Sequence, residues 1–209
     1  MSLPLARSTF VDLVLKDQMR DIDCNMELFR QILEGLAFLH RYRWVHCDIK
    51  PPNLGFISLR PPKAVTLDLG QARSIPESGR FEPNPGSYGT IGYLAPEMEQ
   101  GVFDESIDVW ALGVVGCELL IGSHPWMVAR NARREGGEHL RPTWEHKYRR
   151  TVRELQEAEG STIENLLSQM LRHSAAPTGT TKSRISASEA LQHELWRSAS
   201  TGVLKKRKF

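Results

Sequence analysis

His46-Cys47-Asp48-Ile49-Lys50-Pro51-Pro52-Asn53 puts an acid, a cation and an amide on one short loop, with Lys50 two residues and Asn53 five residues beyond Asp48. Fifteen residues past Asn53, after an apolar stretch that reads as a strand, stands Asp68-Leu69-Gly70. A carboxylate base, an ammonium, and an amide oxygen plus a second carboxylate for hard cations are groups that suit phosphoryl transfer from a nucleotide.

Working outward, Asn25 is the expected cap of a helix running to about Tyr42, because Leu28, Phe29, Ile32, Leu33, Leu36 and Leu39 recur at helical spacing. Val45 leads into the polar loop, and Pro51-Pro52 forbids helical continuation there. Residues 55–59 and 64–67 read as two short strands joined by a Pro-Pro turn. Residues 70–93 are rich in Gly, Pro and Ser with no apolar period, which predicts a long loop, ordered or switchable. Residues 107–121 are apolar on nearly every side and belong to a central helix. Residues 127–158 are helix-prone and mix both charges, a solvated face or a docking patch. An amphipathic helix at 162–171, a polar loop at 175–183 and a last helix at 186–196 complete the chain.

The motifs resemble the catalytic apparatus of eukaryotic-type protein kinases of serine/threonine type. By that resemblance Asp48 accepts the substrate hydroxyl's proton, Lys50 steadies the γ-phosphate, and Asn53 and Asp68 hold Mg²⁺ across the phosphates of ATP. His46 matches a structural residue packed beneath the loop. Gly89-Thr90-Ile91-Gly92-Tyr93-Leu94-Ala95-Pro96-Glu97 is similar to the end of a kinase activation segment, where the threonine matching Thr90 bonds the catalytic Asp and Lys. Asp108-Val109-Trp110-Ala111-Leu112-Gly113 resembles the start of the buried central helix, whose Asp ties down the loop backbone. Arg184-Ile185-Ser186-Ala187 resembles the element whose arginine pairs with the glutamate at Glu97. One such motif is moderately specific; all of them in the family's order are strongly so.

The implied fold is mainly α with small β-hairpins, a protein kinase-like C-terminal lobe (α+β). The expected organisation is a post-hinge segment with a short helix near Phe10 to Lys16 over residues 1–24, the kinase-like lobe over 25–198, and a basic tail over 199–209. Within the lobe the catalytic loop is 45–54 and the activation segment 68–97. The 45 residues before His46 contain no G-x-G-x-x-G and no V-A-I-K-like strand, so the chain is expected to be a C-terminal lobe without the N-terminal lobe that clamps the nucleotide. On that expectation phosphate transfer by the chain alone is weak, electrostatic clamping being the main source of catalysis here.

Three further departures stand out. Cys47 replaces an arginine that in many kinases receives an activation-loop phosphate. Leu69 replaces a phenylalanine. Gly55 stands where a leucine floors the adenine pocket, at a cost in binding of about 1–3 kcal/mol. Ser74, Ser78, Ser87 and Thr90 stand where activation loops are phosphorylated, although unmodified polar loop residues are the plainer reading of any one.

Composition sets the remaining bounds. The chain has 209 residues, 40% of them hydrophobic and 25% charged, with net charge +2, the make-up of an ordinary soluble domain with no bias toward nucleic acid or membrane. Three widely spaced cysteines fit a reducing, cytoplasmic setting and no disulfide framework. Lys205-Lys206-Arg207-Lys208 offers a nuclear-import patch or a frayed tail. His46 has no second His or Cys at zinc-ligand spacing, and the glycines at 86, 89 and 92 lack the strand a phosphate loop needs. The partners implied are a protein substrate and a partner covering the exposed lobe interface. The leading reading is therefore transfer of the γ-phosphate of ATP to protein hydroxyls. The alternative is a catalytically silent binding or regulatory module. A small-molecule phosphotransferase shares the H-x-D-x-x-x-x-N logic but fits Lys50, Glu97, Asp108 and Arg184 less well.

Overall fold

Two helices and the loops between them decide where the polar residues sit. A computed structural model describes residues 6–15, 21–81, 89–100, 103–125, 150–151, 153–155, 160, 162–172 and 183–199. The first strand, β1 (Ser8–Thr9), leads directly into α1 (Phe10–Leu15). The long helix α2 spans Ile22–Arg41 and starts one turn earlier than the sequence suggests. Asp21, not Asn25, is its cap, with the Asp21 carboxylate accepting the Cys24 amide at 3.1 Å. Asn25 lies inside the helix, buried, with its amide reaching the Leu119 carbonyl at 3.5 Å. Cys24 and Met26 are buried as well, so the core-facing stripe begins before Leu28.

Helix α4 (Ser106–Gly116) is the centre of the domain: every residue from Ile107 to Gly116 is buried. It does not continue as α-helix to Ile121. Residues Cys117–Ile121 form a π-turn closed by Gly122 at φ 86°, and this one-residue widening buries Glu118. The short α3 (Pro96–Gln100) precedes α4, and α5 (Ile163–Met170) packs against it, capped by the Thr162 hydroxyl.

The last helix of the sequence reading is two helices, α6 (Ala187–Ala190) and α7 (Glu194–Ala199). A capping box between Ser186 and Glu189 starts the first. The break follows from side chains that compete for backbone groups. The His193 ring takes the Leu195 amide at 3.1 Å, and the Trp196 indole donates to the Ala190 carbonyl at 2.8 Å.

The expected hairpin is β3 (Leu54–Leu59) with β4 (Pro62–Thr66), antiparallel, and β1 adds a third strand on the other edge of β3. Gly55 is required by that third strand. A Cβ there would lie 2.9 Å from a Leu67 methyl and 3.2 Å from both the Ala6 side chain and the Ser8 carbonyl. A second small sheet pairs β2 (Trp44–Val45) with β5 (Arg73–Ser74), so the expected 70–93 loop contains a strand near its start. Most of residues 127–158, Ser87 and Gly86, most of the 175–183 loop and the basic tail lie outside the described residues. No helix among the described residues is long and apolar enough to cross a membrane.

Candidate active site

Asp48 is the hub. It is 5% exposed, and burying a carboxylate in this way requires donors around it. Its Oδ2 takes the Lys50 ammonium at 2.7 Å and the Asn53 amide at 2.8 Å. Its Oδ1 accepts the Thr90 hydroxyl at 2.8 Å. The Lys50 ammonium also donates to the Thr90 oxygen at 2.8 Å, which closes a three-membered ring of side chains. A carboxylate has roughly four acceptor positions; three are taken here, which leaves one on Oδ1 for an incoming hydroxyl.

Asn53 is oriented unambiguously. Its NH₂ donates to both the Asp48 carbonyl, at 2.9 Å, and the Asp48 carboxylate, so its oxygen points the other way and accepts no hydrogen bond from the described residues. That leaves a neutral oxygen suited to a hard cation.

The loop is held from beneath by Asp108 at the start of α4. Its two oxygens accept the His46 amide at 2.8 Å and the Cys47 amide at 3.0 Å, and the His40 ring at 3.0 Å. Three donors compensate a carboxylate that is almost wholly buried. His46 is structural. Its Nε2 donates to the Leu67 carbonyl at 3.0 Å and its Nδ1 accepts the Asp48 amide at 3.3 Å, which fixes a neutral tautomer. Cys47 adopts a left-handed conformation, φ 66°. Burial, with the nearby Asp108 charge, pushes its thiol up to about 12, so it is a neutral, inert side chain.

Asp68 sits at the edge of this loop because its predecessor is bonded to both ends of it. The Leu67 amide donates to the Asn53 carbonyl at 2.8 Å, and the Leu67 carbonyl takes the His46 ring. Asp68 itself is exposed, left-handed at φ 53°, and among the described residues accepts only the Gly70 amide, at 3.1 Å. Asn53 and Asp68 thus offer two hard oxygens on adjoining segments, a donor set that fits Mg²⁺ once phosphate oxygens and waters complete it.

The segment that supplies Thr90 is anchored at both ends. Gly89, at φ 74°, leaves no room for a side chain, since a Cβ would lie 2.6 Å from Leu94 and 3.1 Å from the Cys47 carbonyl. Its amide is held by Gln71 at 3.0 Å. Further on, the Tyr93 hydroxyl donates to Glu118 at 2.8 Å. Glu97 meets Arg184 in a buried bidentate pair, and the guanidinium also bonds the Ser106 and Arg172 carbonyls and lies 4.9 Å over the Trp110 ring.

Of the five residues singled out from sequence, Lys50, Asn53 and Thr90 all bond the Asp48 carboxylate, and Asp68 stands on the adjoining segment. His40, Gln71, Tyr93 and Glu118 were not singled out. His40 carried a signal: it falls four residues after Leu36 on the buried stripe, and a polar residue there implies a buried partner. Glu118 carried none, because a regular helix gives no warning of the π-turn.

A backbone-anchored acid, lysine and amide stand on the loop between a long helix and a small hairpin, met by a threonine from a separate segment and locked to a central apolar helix. The chain belongs to the protein kinase family: the protein kinase domain matches over residues 6–196. It is 32% identical over 192 residues to the calcium/calmodulin-dependent protein kinase type II alpha chain of Drosophila melanogaster, covering 88% of this chain and 32% of that protein. It is 27% identical over 187 residues to calcium-dependent protein kinase 4 of Plasmodium falciparum, covering 88% and 32%. To the calcium/calmodulin-dependent protein kinase type II of Caenorhabditis briggsae it is 35% identical over 119 residues, 56% of this chain and 22% of that one. The chain thus spans less than a third of the length of each of these relatives.

Proposed function

We propose that this chain transfers the γ-phosphate of ATP to serine and threonine hydroxyls of a protein substrate. The observation that carries the reading is the closed Asp48–Lys50–Thr90 ring with one acceptor position left on Asp48. A hydroxyl donating to that position is turned for in-line attack, and Asp48 takes up its proton as the new P–O bond forms. The Lys50 ammonium, already at the carboxylate, faces the charge that develops on the transferred phosphoryl group. Thr90 holds both side chains to the activation segment, so loop position and catalytic geometry are coupled.

ATP is the phosphoryl donor; Asn53 and Asp68 would hold a Mg²⁺ ion, which would supply neutralisation of the phosphate oxygens. Support for the cation comes from Asn53, whose donor end is committed to Asp48 and whose oxygen is left outward. Lys50 is the one cation within ion-pairing distance of Asp48 among the described residues. With one described cation at Asp48 to offset phosphate charge, turnover through these residues unaided is expected to be slow.

The test compares the chain with Asp48→Asn and Asp68→Asn for Mg²⁺-dependent ATP binding and for transfer of labelled phosphate to protein. Asp68→Asn is expected to weaken Mg²⁺-dependent binding. Asp48→Asn is expected to preserve binding and remove transfer. ATP bound without any transfer would instead identify a silent binding module.

A further inference from the structure

The last turn of α2 and the strand after it carry a surface that the site above does not use. Phe38, Tyr42 and Trp44 are 60%, 61% and 46% exposed, and Arg41 and Arg43 among them are exposed too. Phe38, Arg41 and Tyr42 are spaced i, i+3 and i+4, which stacks them on one helix face. The Phe38 and Tyr42 rings lie 4.7 Å apart between centroids. Val45 is fully buried, so Trp44, on the alternate side of the strand, turns outward, with Ser74 as its cross-strand neighbour. Arg43 donates to the Pro76 carbonyl at 2.7 Å, which fixes one guanidinium at the edge of the patch.

Three aromatic rings and two arginines within seven residues have the composition of a binding hot spot, not of a solvated face. We propose that this patch is a docking surface for an acidic segment of a partner protein that carries aromatic or leucine side chains between its acids. The rings offer apolar area, and Arg41 and Arg43 offer the positive rim that selects acids. Glu34, one turn earlier, is already engaged by Arg30 at 2.5 Å and does not oppose them. A nucleic acid is a poorer match, because following a phosphate backbone takes a run of cations. Here there are two, with Glu77 just beyond Pro76, on a chain of net charge +2. Trp44 precedes His46 by two residues, so a segment anchored here is held at the root of the loop that carries Asp48.

The experiment uses the complete chain and two fluorescent peptides, one alternating Glu with Leu and Phe, the other with Lys in place of each Glu. Polarisation is expected to show the acidic peptide binding at least about tenfold tighter, and more weakly as salt rises. The double variant Phe38→Ser with Arg41→Glu is expected to lose about tenfold or more in affinity. Both side chains are exposed, so the variant keeps a cooperative thermal transition with at most a small drop in midpoint. Arg150→Glu, an exposed cation elsewhere, leaves binding intact. The proposal is overturned by equal binding or no binding of the two peptides, or by undiminished binding to the double variant. Tighter binding of a single-stranded oligonucleotide of equal charge also overturns it. So does a concentration-dependent dimer that the double variant dissolves, which would make the occupant a second copy of this chain.

Discussion

Asp48 and Asp68 are carboxylates on adjoining segments, and the protein treats them in opposite ways. Asp48 is buried, takes three donors, and stands on a loop whose backbone is bonded to Asp108. Asp68 is exposed, with a single backbone amide as its partner among the described residues. The first is finished by the fold. The second keeps most of its acceptor capacity unspent, which suits a group whose partner arrives with the substrate. The contrast separates a carboxylate whose surroundings the fold sets in advance from one left open to a further ligand.

The most forceful way to break this comparison is Asp48→Ala. It strips Lys50, Thr90 and the buried Asn53 amide of their common acceptor, so stability is expected to fall by about 2–4 kcal/mol, with phosphate transfer lost. Urea denaturation of the variant and parent measures it. A midpoint that does not move would show that the ring is incidental to the fold.

Much of this arrangement was legible before any coordinates. The spacing of Asp48, Lys50 and Asn53 is local, so loop geometry alone brings them together, and the motif named their partners. The bonds of Asp108 to the loop and of Arg184 to Glu97 span 62 and 87 residues. They were legible only through the resemblance, since no periodicity encodes them. What escaped was short or non-local. β1 and β5 are two residues each and exist only because a distant strand accepts them. Asp21, Asp23 and Asn25 are all competent caps, and sequence does not rank them; the burial of Cys24 and Met26 does. Gly55 read as a lost adenine contact, whereas the coordinates give it a packing reason in the close approach of Leu67, Ala6 and Ser8.

The buried side of the comparison is also expected to show in alkali. Cys47 adjoins Asp48, and its thiol is raised from the ordinary 9.0 to about 12. Its contribution is complete below the unfolded value. Above about pH 9 the unfolded chain sheds the thiol proton and the folded chain keeps it. Stability then falls by about 1.4 kcal/mol per pH unit until the folded value is reached. Denaturation at rising pH, in the parent and in Cys47→Ala, isolates this share. An identical pH slope in the two proteins would place the thiol in contact with solvent.

A smaller effect separates the two members of the ring that hold Asp48. Thr90→Val keeps the shape of the side chain and removes the hydroxyl, while the direct Lys50–Asp48 pair remains. The expected loss is about 1 kcal/mol in stability and about tenfold in transfer rate, with ATP affinity unchanged. A matching loss of ATP affinity would mean that Thr90 reaches the nucleotide and not only Asp48.

The smallest change in stability belongs to Asp68→Asn, and there the comparison is sharpest. Asn tolerates the left-handed backbone that Asp68 adopts, and its oxygen still accepts the Gly70 amide, so folding is expected to shift by no more than about 0.5 kcal/mol. What it removes is a negative charge at an exposed oxygen, which attracts a cation and repels a bare triphosphate. The Mg²⁺ dependence of ATP binding should weaken by about tenfold, while binding without Mg²⁺ does not weaken. If instead stability falls as far as in Asp48→Ala, then Asp68 is held by the fold in the same way, and the division between a finished carboxylate and a waiting one is wrong.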